Sequence, residues 1–268
     1  MSDFQVRALR SGSSGNLYYI AYRSTRLVLD CGVNGKQFAR ALAEGGVAED
    51  QIPQLQGILL THEHSDHIQG LGVIMRRYHL PVYLTAPTYR AAAARLGKVD
   101  ESLVHIIEPD RAFALGDLWV QPFPVSHDAA QPVGYSLNSE QAKVSFCTDT
   151  GIVDDGIWQA LRGSDLAFIE ANYEPGLLES GPYPYPLKQR IKSERGHLSN
   201  LAGADLCARL LQAGTEQFVL AHLSQENNYP ALARLVVEDN LRELGAEVGQ
   251  DYKLAVANRY QSSAAINL

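Results

Sequence analysis

The chain has 268 residues, of which 46% are apolar and 20% charged, with a formal charge of −7. That composition suits an enzyme-sized globular protein with a substantial core, and it argues against a generally basic nucleic-acid-binding surface, so any polyanion site must be local. No apolar run approaches the ~18 residues of a membrane span, and the start MSDFQVRALRSGSSGN lacks the basic-then-apolar layout of a signal peptide, so a cytoplasmic protein without a membrane role is expected. Cys31, Cys147 and Cys207 are few, odd in number and set in apolar runs, which reads as buried thiols in a reducing compartment. Nothing resembling a linker interrupts the chain, and residues 1–268 are expected to form one domain.

In chain order, three short β segments come first, Phe4 to Arg10, Asn16 to Tyr22 and Arg26 to Asp30, divided by SGSSGN and a tight YRST turn. A helix follows from near Asn34 to a stop at Gly45 and Gly46. Further strands are predicted at Gly57 to Thr61, Val82 to Thr85, Leu103 to Ile107, Leu118 to Val125, Val133 to Leu137, Val144 to Cys147, Leu166 to Ile169 and Phe218 to Ala221. Helices are predicted at Ile68 to Tyr78, Thr88 to Leu96, Ile152 to Leu161, Asn200 to Gln212 and Ala231 to Leu244. Strands grouped in the middle and alternating with helices elsewhere imply sheets packed face to face under outer helices. One long segment, Asn172 to Gly196, reads as irregular, and such loops are usually functional or disordered. Met1 to Arg10 and the tail YQSSAAINL are expected either to add edge strands or to close a homo-oligomer.

The chemistry concentrates in GILLTHEHSDHIQG, where His62, His64, Asp66 and His67 fall between an apolar strand and a helical pattern. Residues two apart on an extended strand end point the same way, so His62 and His64 can share one ion, while Asp66 and His67 turn toward a second position. An N-cap role would explain Asp66 but leaves three histidines without a reason. Elsewhere His127 (FPVSHDA), Asp149 (FCTDTG) and His222 (VLAHLS) each follow a strand, which presents a ligand at the rim of a sheet. Asp30 ends the strand LVLD and is placed to accept a proton from a ligand histidine. His79 and His105 are assigned to structure.

HEHSDH, a strand-end His, TDTG and a late strand-end His together resemble the metallo-β-lactamase superfamily. Within it, SGSSGN, GPYPYPLKQRI and RGHLSN resemble the YycJ type of nuclease-like proteins over essentially the whole chain. The resemblance implies an α/β fold, a four-layer αβ/βα sandwich with a dinuclear site at one edge. By the same resemblance His62, His64 and His127 would hold one ion, Asp66, His67 and His222 the other, and Asp149 would bridge them. The intact His64 favours hydrolysis over the redox chemistry of the branch that carries an acid there. Imidazoles and carboxylates without thiolate fit two divalent ions, Zn²⁺ or Mn²⁺.

Two such ions would generate a nucleophile and neutralise phosphate charge, with Asp66 orienting the attacking water. His197, in RGHLSN, is the expected acid for the leaving oxygen or a phosphate ligand, the role suggested by the similar ribonuclease Z group. Ser199 should cap the next helix, whose amides favour an anion, and Ser13 and Ser14 in SGSSGN either approach the substrate or form a plain hairpin turn. Lys188, Arg190 and Lys192, with Arg195, make a basic stretch after Tyr183 and Tyr185, which is what single-stranded nucleic acid requires. The resemblance to the YycJ type implies that the substrate is DNA, cut from the 5′ end. The rival is a small cyclic phosphodiester, as in the similar PhnP group.

Overall fold

The computed structural model describes residues 4–268, so Met1, Ser2 and Asp3 of the N-terminal segment lie outside the described residues. In chain order the elements are β1 (Phe4–Arg10), β2 (Leu17–Tyr22), β3 (Thr25–Leu29), α1 (Gly35–Glu44), β4 (Gly57–Leu59), α2 (Ser65–Ile68), α3 (Leu71–Tyr78), β5 (Val82–Thr85), α4 (Ala86–Leu96), β6 (Val104–Ile107), β7 (Phe113–Leu115) and β8 (Leu118–Pro124). They continue with β9 (Val133–Asn138), β10 (Lys143–Cys147), α5 (Asp155–Leu161), β11 (Leu166–Glu170), α6 (Pro175–Ser180), α7 (Tyr185–Lys192), α8 (Asn200–Gln212), β12 (Gln217–Ala221), α9 (Pro230–Glu243), β13 (Lys253–Val256) and β14 (Ile266–Asn267).

Two seven-stranded sheets result, ordered β14-β1-β2-β3-β4-β5-β6 and β13-β12-β11-β10-β9-β8-β7. Each is antiparallel at one end and parallel at the other: β3 to β6 run parallel in the first, β10 to β13 in the second. Three buried layers follow from this. Val28, Ile58, Val82 and Leu84 pack under Phe38, Leu42, Ile74 and Met75 of α1 and α3, while Ile20, Leu27, Tyr135, Phe146 and Phe168 fill the space between the sheets. Ala167, Ile169, Phe218 and Leu220 meet Leu206, Leu210, Val237 and Leu241 of α8 and α9. Strands buried on both faces read as continuous apolar runs, which is why LVL, LAFI and FVLA carry no alternation. The architecture is the αβ/βα sandwich.

Three differences from the sequence reading bear on the site. The segment from Asn172 to Gly196 is not irregular, because it carries α6 and α7 around a small core of Tyr173, Leu178 and Ile191. Both helices are announced by proline in the first turn, Pro175 and Pro186. The helix expected from Ile68 is two pieces, α2 and α3, meeting at Gly70, where an added Cβ would lie 2.1 Å from the Val33 carbonyl oxygen. The short strands β7 and β13 are additional to the predicted elements, while β14 pairs with β1 through Val6 and Ile266, so the tail supplies an edge strand, one of its two expected roles.

Candidate metal centre at the edge of the two sheets

The parallel strands of both sheets end at the same edge, and in open α/β sheets the carboxyl ends of strands are where ligands bind. From the first sheet come Asp30 after β3 and the stretch from Thr61 to His67 after β4; from the second come Asp149 after β10, Glu170 at the end of β11 and His222 after β12. Asp30, Asp149 and His222 all take left-handed backbone conformations, φ 60, 57 and 55°. Non-glycine residues adopt that region at a cost, and such strain gathers at functional sites.

Close backbone approach makes the first half of the centre. Gly32 packs so tightly on the turn at α2 that a Cβ there would fall 1.6 Å from the Asp66 carbonyl oxygen. In that contact Asn16 N–H donates to Asp66 O (2.8 Å), Cys31 N–H to His67 O (2.8 Å) and Gly32 N–H to Asn16 O (2.9 Å). The SGSSGN loop is thereby bound to the back of the HEHSDH turn.

The side chains then converge. His127 Nε2 lies 3.2 Å from His64 Nδ1, and the His62 ring sits 4.6 Å from that of His64 and 5.1 Å from that of His127. Asp66 Oδ2 lies 3.2 Å from His222 Nε2 and 3.5 Å from His67 Nε2. Asp149 stands between the two groups, its oxygens 3.5 Å from His67 Nε2, 3.8 Å from His127 Nε2 and 3.3 Å from His222 Nδ1. Ligand atoms of His62, His64 and His127 all fall within 4.8 Å of one another, as do those of Asp66, His67 and His222, and those of His62, His67 and Asp149.

These residues fit divalent ions. His62 Nε2 and Asp149 Oδ2 are buried and have no hydrogen-bond partner among the described residues, a costly state for polar atoms unless a cation satisfies them. Burial, and then the rings of His67, His127 and His64, hold His62 well below the ordinary histidine value, keeping it in the neutral form that binds metal. Burial also lowers His127. At His67 and His222 burial pulls the same way but loses: Asp30, Asp149 and Asp66 raise His67 well above its usual value, and Asp149, Asp66 and Glu170 push His222 up to about 10. Asp66, which burial alone would raise, is brought below the usual carboxylate range by His67 and His222. The carboxylates thus draw positive charge to the position a metal ion would occupy.

Behind the cluster, acids fix the rings. Asp30 accepts from His67 Nδ1 (2.8 Å) and from the amide and hydroxyl of Thr61 (3.0 and 2.9 Å), which turns His67 Nε2 toward Asp66 and Asp149. Glu170 does the same on the other side. Fully buried, it accepts at Oε1 from His222 Nδ1 (2.8 Å) and His197 Nδ1 (2.9 Å), and at Oε2 from the amides of Leu198 (2.9 Å) and Thr150 (3.3 Å). Burial would raise Glu170, but His197 and then His222 outweigh it and lower it. Glu170 escaped the sequence reading although LAFIE ends in a buried acid just as LVLD does.

The cluster opens into a cleft lined by Ser13, Tyr183, Leu187, Arg190, His197 and Ser224. Of the residues expected to bind substrate, the structure brings Ser13, Tyr183 and Arg190 there. Tyr185 projects into solvent from the start of α7, and Ser14 is exposed beside Arg259. Lys188 donates to the Glu179 carbonyl, Lys192 pairs with the Glu179 carboxylate, and Arg190 binds Asp128 across the cleft mouth (Nη2 to Oδ1, 3.0 Å). Glu179 and Asp128 therefore offset charge that the basic stretch displays in sequence. Ser199 caps α8 through the Ala202 amide, and the Leu198 and Asn200 amides are bonded to Glu170 and to the Tyr173 carbonyl, so these three amides are already engaged. His79 ends α3 in a left-handed cap, and His105 stacks on Tyr83 with ring centroids 4.8 Å apart.

A beta-lactamase superfamily domain matches residues 25–223, and the chain belongs to the metallo-β-lactamase superfamily. Within it the chain is of the YycJ type. It is 40% identical to exodeoxyribonuclease WalJ of Streptococcus pneumoniae over 94% of this chain and 93% of that one, and 37% identical to exodeoxyribonuclease YycJ of Bacillus anthracis over 92% of each. Among solved structures, the metallo-β-lactamase fold protein YhfI of Bacillus subtilis superposes with a TM-score of 0.74 at 15% identity, covering 98% of this chain and 99% of that one. A diphosphatase of the PhnP family superposes at 0.64 and 17% identity, covering 97% of each. At such identity these two structures speak to the fold alone.

Proposed function

We propose that this protein is a dinuclear metal-dependent phosphodiesterase that shortens DNA from the 5′ end. The observation carrying the phosphodiester reading is the Glu170–His197 pair beside a complete set of seven ligands. His62, His64 and His127 would hold one ion, Asp66, His67 and His222 the other, with Asp149 shared; the donor set, imidazole and carboxylate without thiolate, suits Zn²⁺ or Mn²⁺. Ions so held supply a nucleophile at neutral pH and neutralise charge growing on the phosphate.

The chain's own residues do the rest. Asp66 and Asp149 both line the cleft, and Asp66, a fifth exposed on its side chain where Asp149 is nearly buried, is the one that orients the attacking water. His197 spends Nδ1 on Glu170, so Nε2 is the atom it offers to the cleft, as proton donor to the leaving oxygen or as a phosphate ligand. Arg190 and Ser13 stand at the cleft wall to meet the strand, and Tyr183 offers a ring. DNA as the polymer is supported by the exodeoxyribonuclease names of relatives sharing 37 to 40% identity over nine-tenths of their length. The 5′ polarity rests on the resemblance to the YycJ type.

Protein loaded with Zn²⁺ or Mn²⁺ and given 5′- or 3′-end-labelled DNA and RNA tests this. Release of labelled mononucleotide from the 5′ end of DNA is expected. Inertness toward every polymer, with hydrolysis of a cyclic ribose phosphate, would overturn it in favour of the small-molecule reading.

A further inference from the structure

Beside the metal cleft lies a second cavity, of about 400 Å³, within the range of small-molecule sites. Its wall includes Ser224, Asn228, Tyr229, Arg259 and Tyr260. Ser224 also lines the metal cleft, and the segment that builds both walls starts at His222 itself, whose amide donates to Ser11 of the cavity lining (2.9 Å). The two spaces therefore share a wall at Ser224.

Three features give this cavity a chemistry. Tyr229 and Tyr260 are 52% and 63% exposed, unusual for rings that no core requires. Their backbones are nonetheless fixed: the Tyr229 amide donates to Asn228 Oδ1 (2.9 Å), and the Tyr260 and Gln261 amides to Asn258 Oδ1 (2.8 and 2.9 Å). A fixed backbone beneath an unpacked ring leaves less freedom to lose when a base stacks on that ring. Between them and the cleft sits Arg259, whose hydrogen bonds go to neutral oxygens, the hydroxyls of Ser13 (3.1 Å) and Ser14 (3.5 Å) and the Leu223 carbonyl. Arg190 and Lys192 have carboxylate partners; Arg259 has none among the described residues, although Glu226 lies close enough to be felt. A half-buried guanidinium bonded only to neutral groups is matched to an anion.

We infer that this cavity is a nucleotide subsite: Tyr229 and Tyr260 stack a base next to the scissile linkage, and Arg259 contacts the adjoining phosphate of single-stranded DNA. The inference rests on the phosphodiesterase reading for the position of the scissile bond and extends it to a strand path running from the metal cleft toward β13 and the start of α9. Arg259 also joins this path to the SGSSGN loop, since the Ser13 it binds lines the metal cleft.

Binding is measured by anisotropy with a cleavage-resistant phosphorothioate oligothymidylate, and turnover with the normal oligomer, using bis(4-nitrophenyl) phosphate as a reference substrate too short to reach the cavity. Tyr229→Ala and Tyr260→Ala should each weaken oligomer binding by about tenfold, the usual worth of one stacked base, and the loss should exceed any change on the reference substrate. Arg259→Gln should flatten the dependence of log affinity on log salt by about 0.7, and Arg259→Lys should keep the slope. Wild-type binding by the double tyrosine variant, with an unchanged slope in Arg259→Gln, would overturn the subsite. The two readings fail separately. A wild-type protein that cuts no DNA removes the nuclease, while the binding ratios still decide the cavity.

Discussion

Glu170→Gln is the most demanding test of the centre, because the substitution keeps volume and shape and changes one oxygen into a donor. Four N–H groups point at this carboxylate, the Nδ1 atoms of His222 and His197 at one oxygen and the amides of Leu198 and Thr150 at the other. A glutamine amide can accept at only one of the two places. Facing its nitrogen to the backbone leaves two buried donors unmet, at about 1–3 kcal/mol each, a total of roughly 2–6 kcal/mol. Facing it to the rings instead forces both histidines to accept at Nδ1 and to carry their proton on Nε2. His222 then loses the lone pair that would hold an ion, a change of the kind that costs about 10–100-fold in metal affinity. In either orientation the negative charge beside His197 is gone, so kcat should fall by about 10² or more. Thermal melting, metal titration and single-turnover cleavage of a labelled oligonucleotide separate the branches: a lower Tm with metal retained marks the first, weakened metal binding the second. Wild-type kcat at unchanged Tm and metal content would refute the assignment of Glu170 as the orienting acid.

Elemental analysis at saturation should find two divalent ions per chain, and His64→Ala should lose one of them along with activity; a single ion in the wild type, or full metal and activity in the variant, would refute the dinuclear reading. His197→Ala should keep its metal and lower kcat by about 10² or more, and an unchanged rate would make His197 a packing residue. Replacing Lys188, Arg190 and Lys192 together by Gln should flatten the salt dependence of single-strand affinity by about 0.7, the share of Arg190 alone, because Lys188 and Lys192 are engaged by Glu179 away from the cleft wall. A change of about two units would instead mean that all three meet phosphates.

Much of the fold was legible because its central strands are unbroken apolar runs bounded by glycine or polar turns, and because the helices between them carry clear stops. The clustering of HEHSDH likewise needed no tertiary information. What escaped has physical causes. Helices α6 and α7 have six and eight residues, too short for a periodic stripe, and only their prolines mark them. The pairing of Arg190 with Asp128 spans 62 positions, so the basic stretch looked freer in sequence than it is in space. Glu179 lay within the same segment, but only the packing of α6 against α7 turns it toward the lysines. Arg259 and Tyr260, beyond the last strong strand, gave no signal because their meaning depends on meeting Ser13 from the opposite end of the chain.

The metal cluster is assembled from both halves of the sandwich: His62, His64, Asp66 and His67 stand on one sheet, and His127, Asp149 and His222 on the other. Each ion would then act as a rivet through the seam. With both proposed ions in place, any sliding of the sheets past each other would pull ligands off both, and hinging at the centre to admit or release a polymer would break the site. The anvil must stay still while the strand moves. Whatever yields during turnover must lie at the rim, and the excursion carrying α6 and α7, with its own small core and its salt link from Arg190 to Asp128 across the cleft mouth, is the part built separately enough to do so.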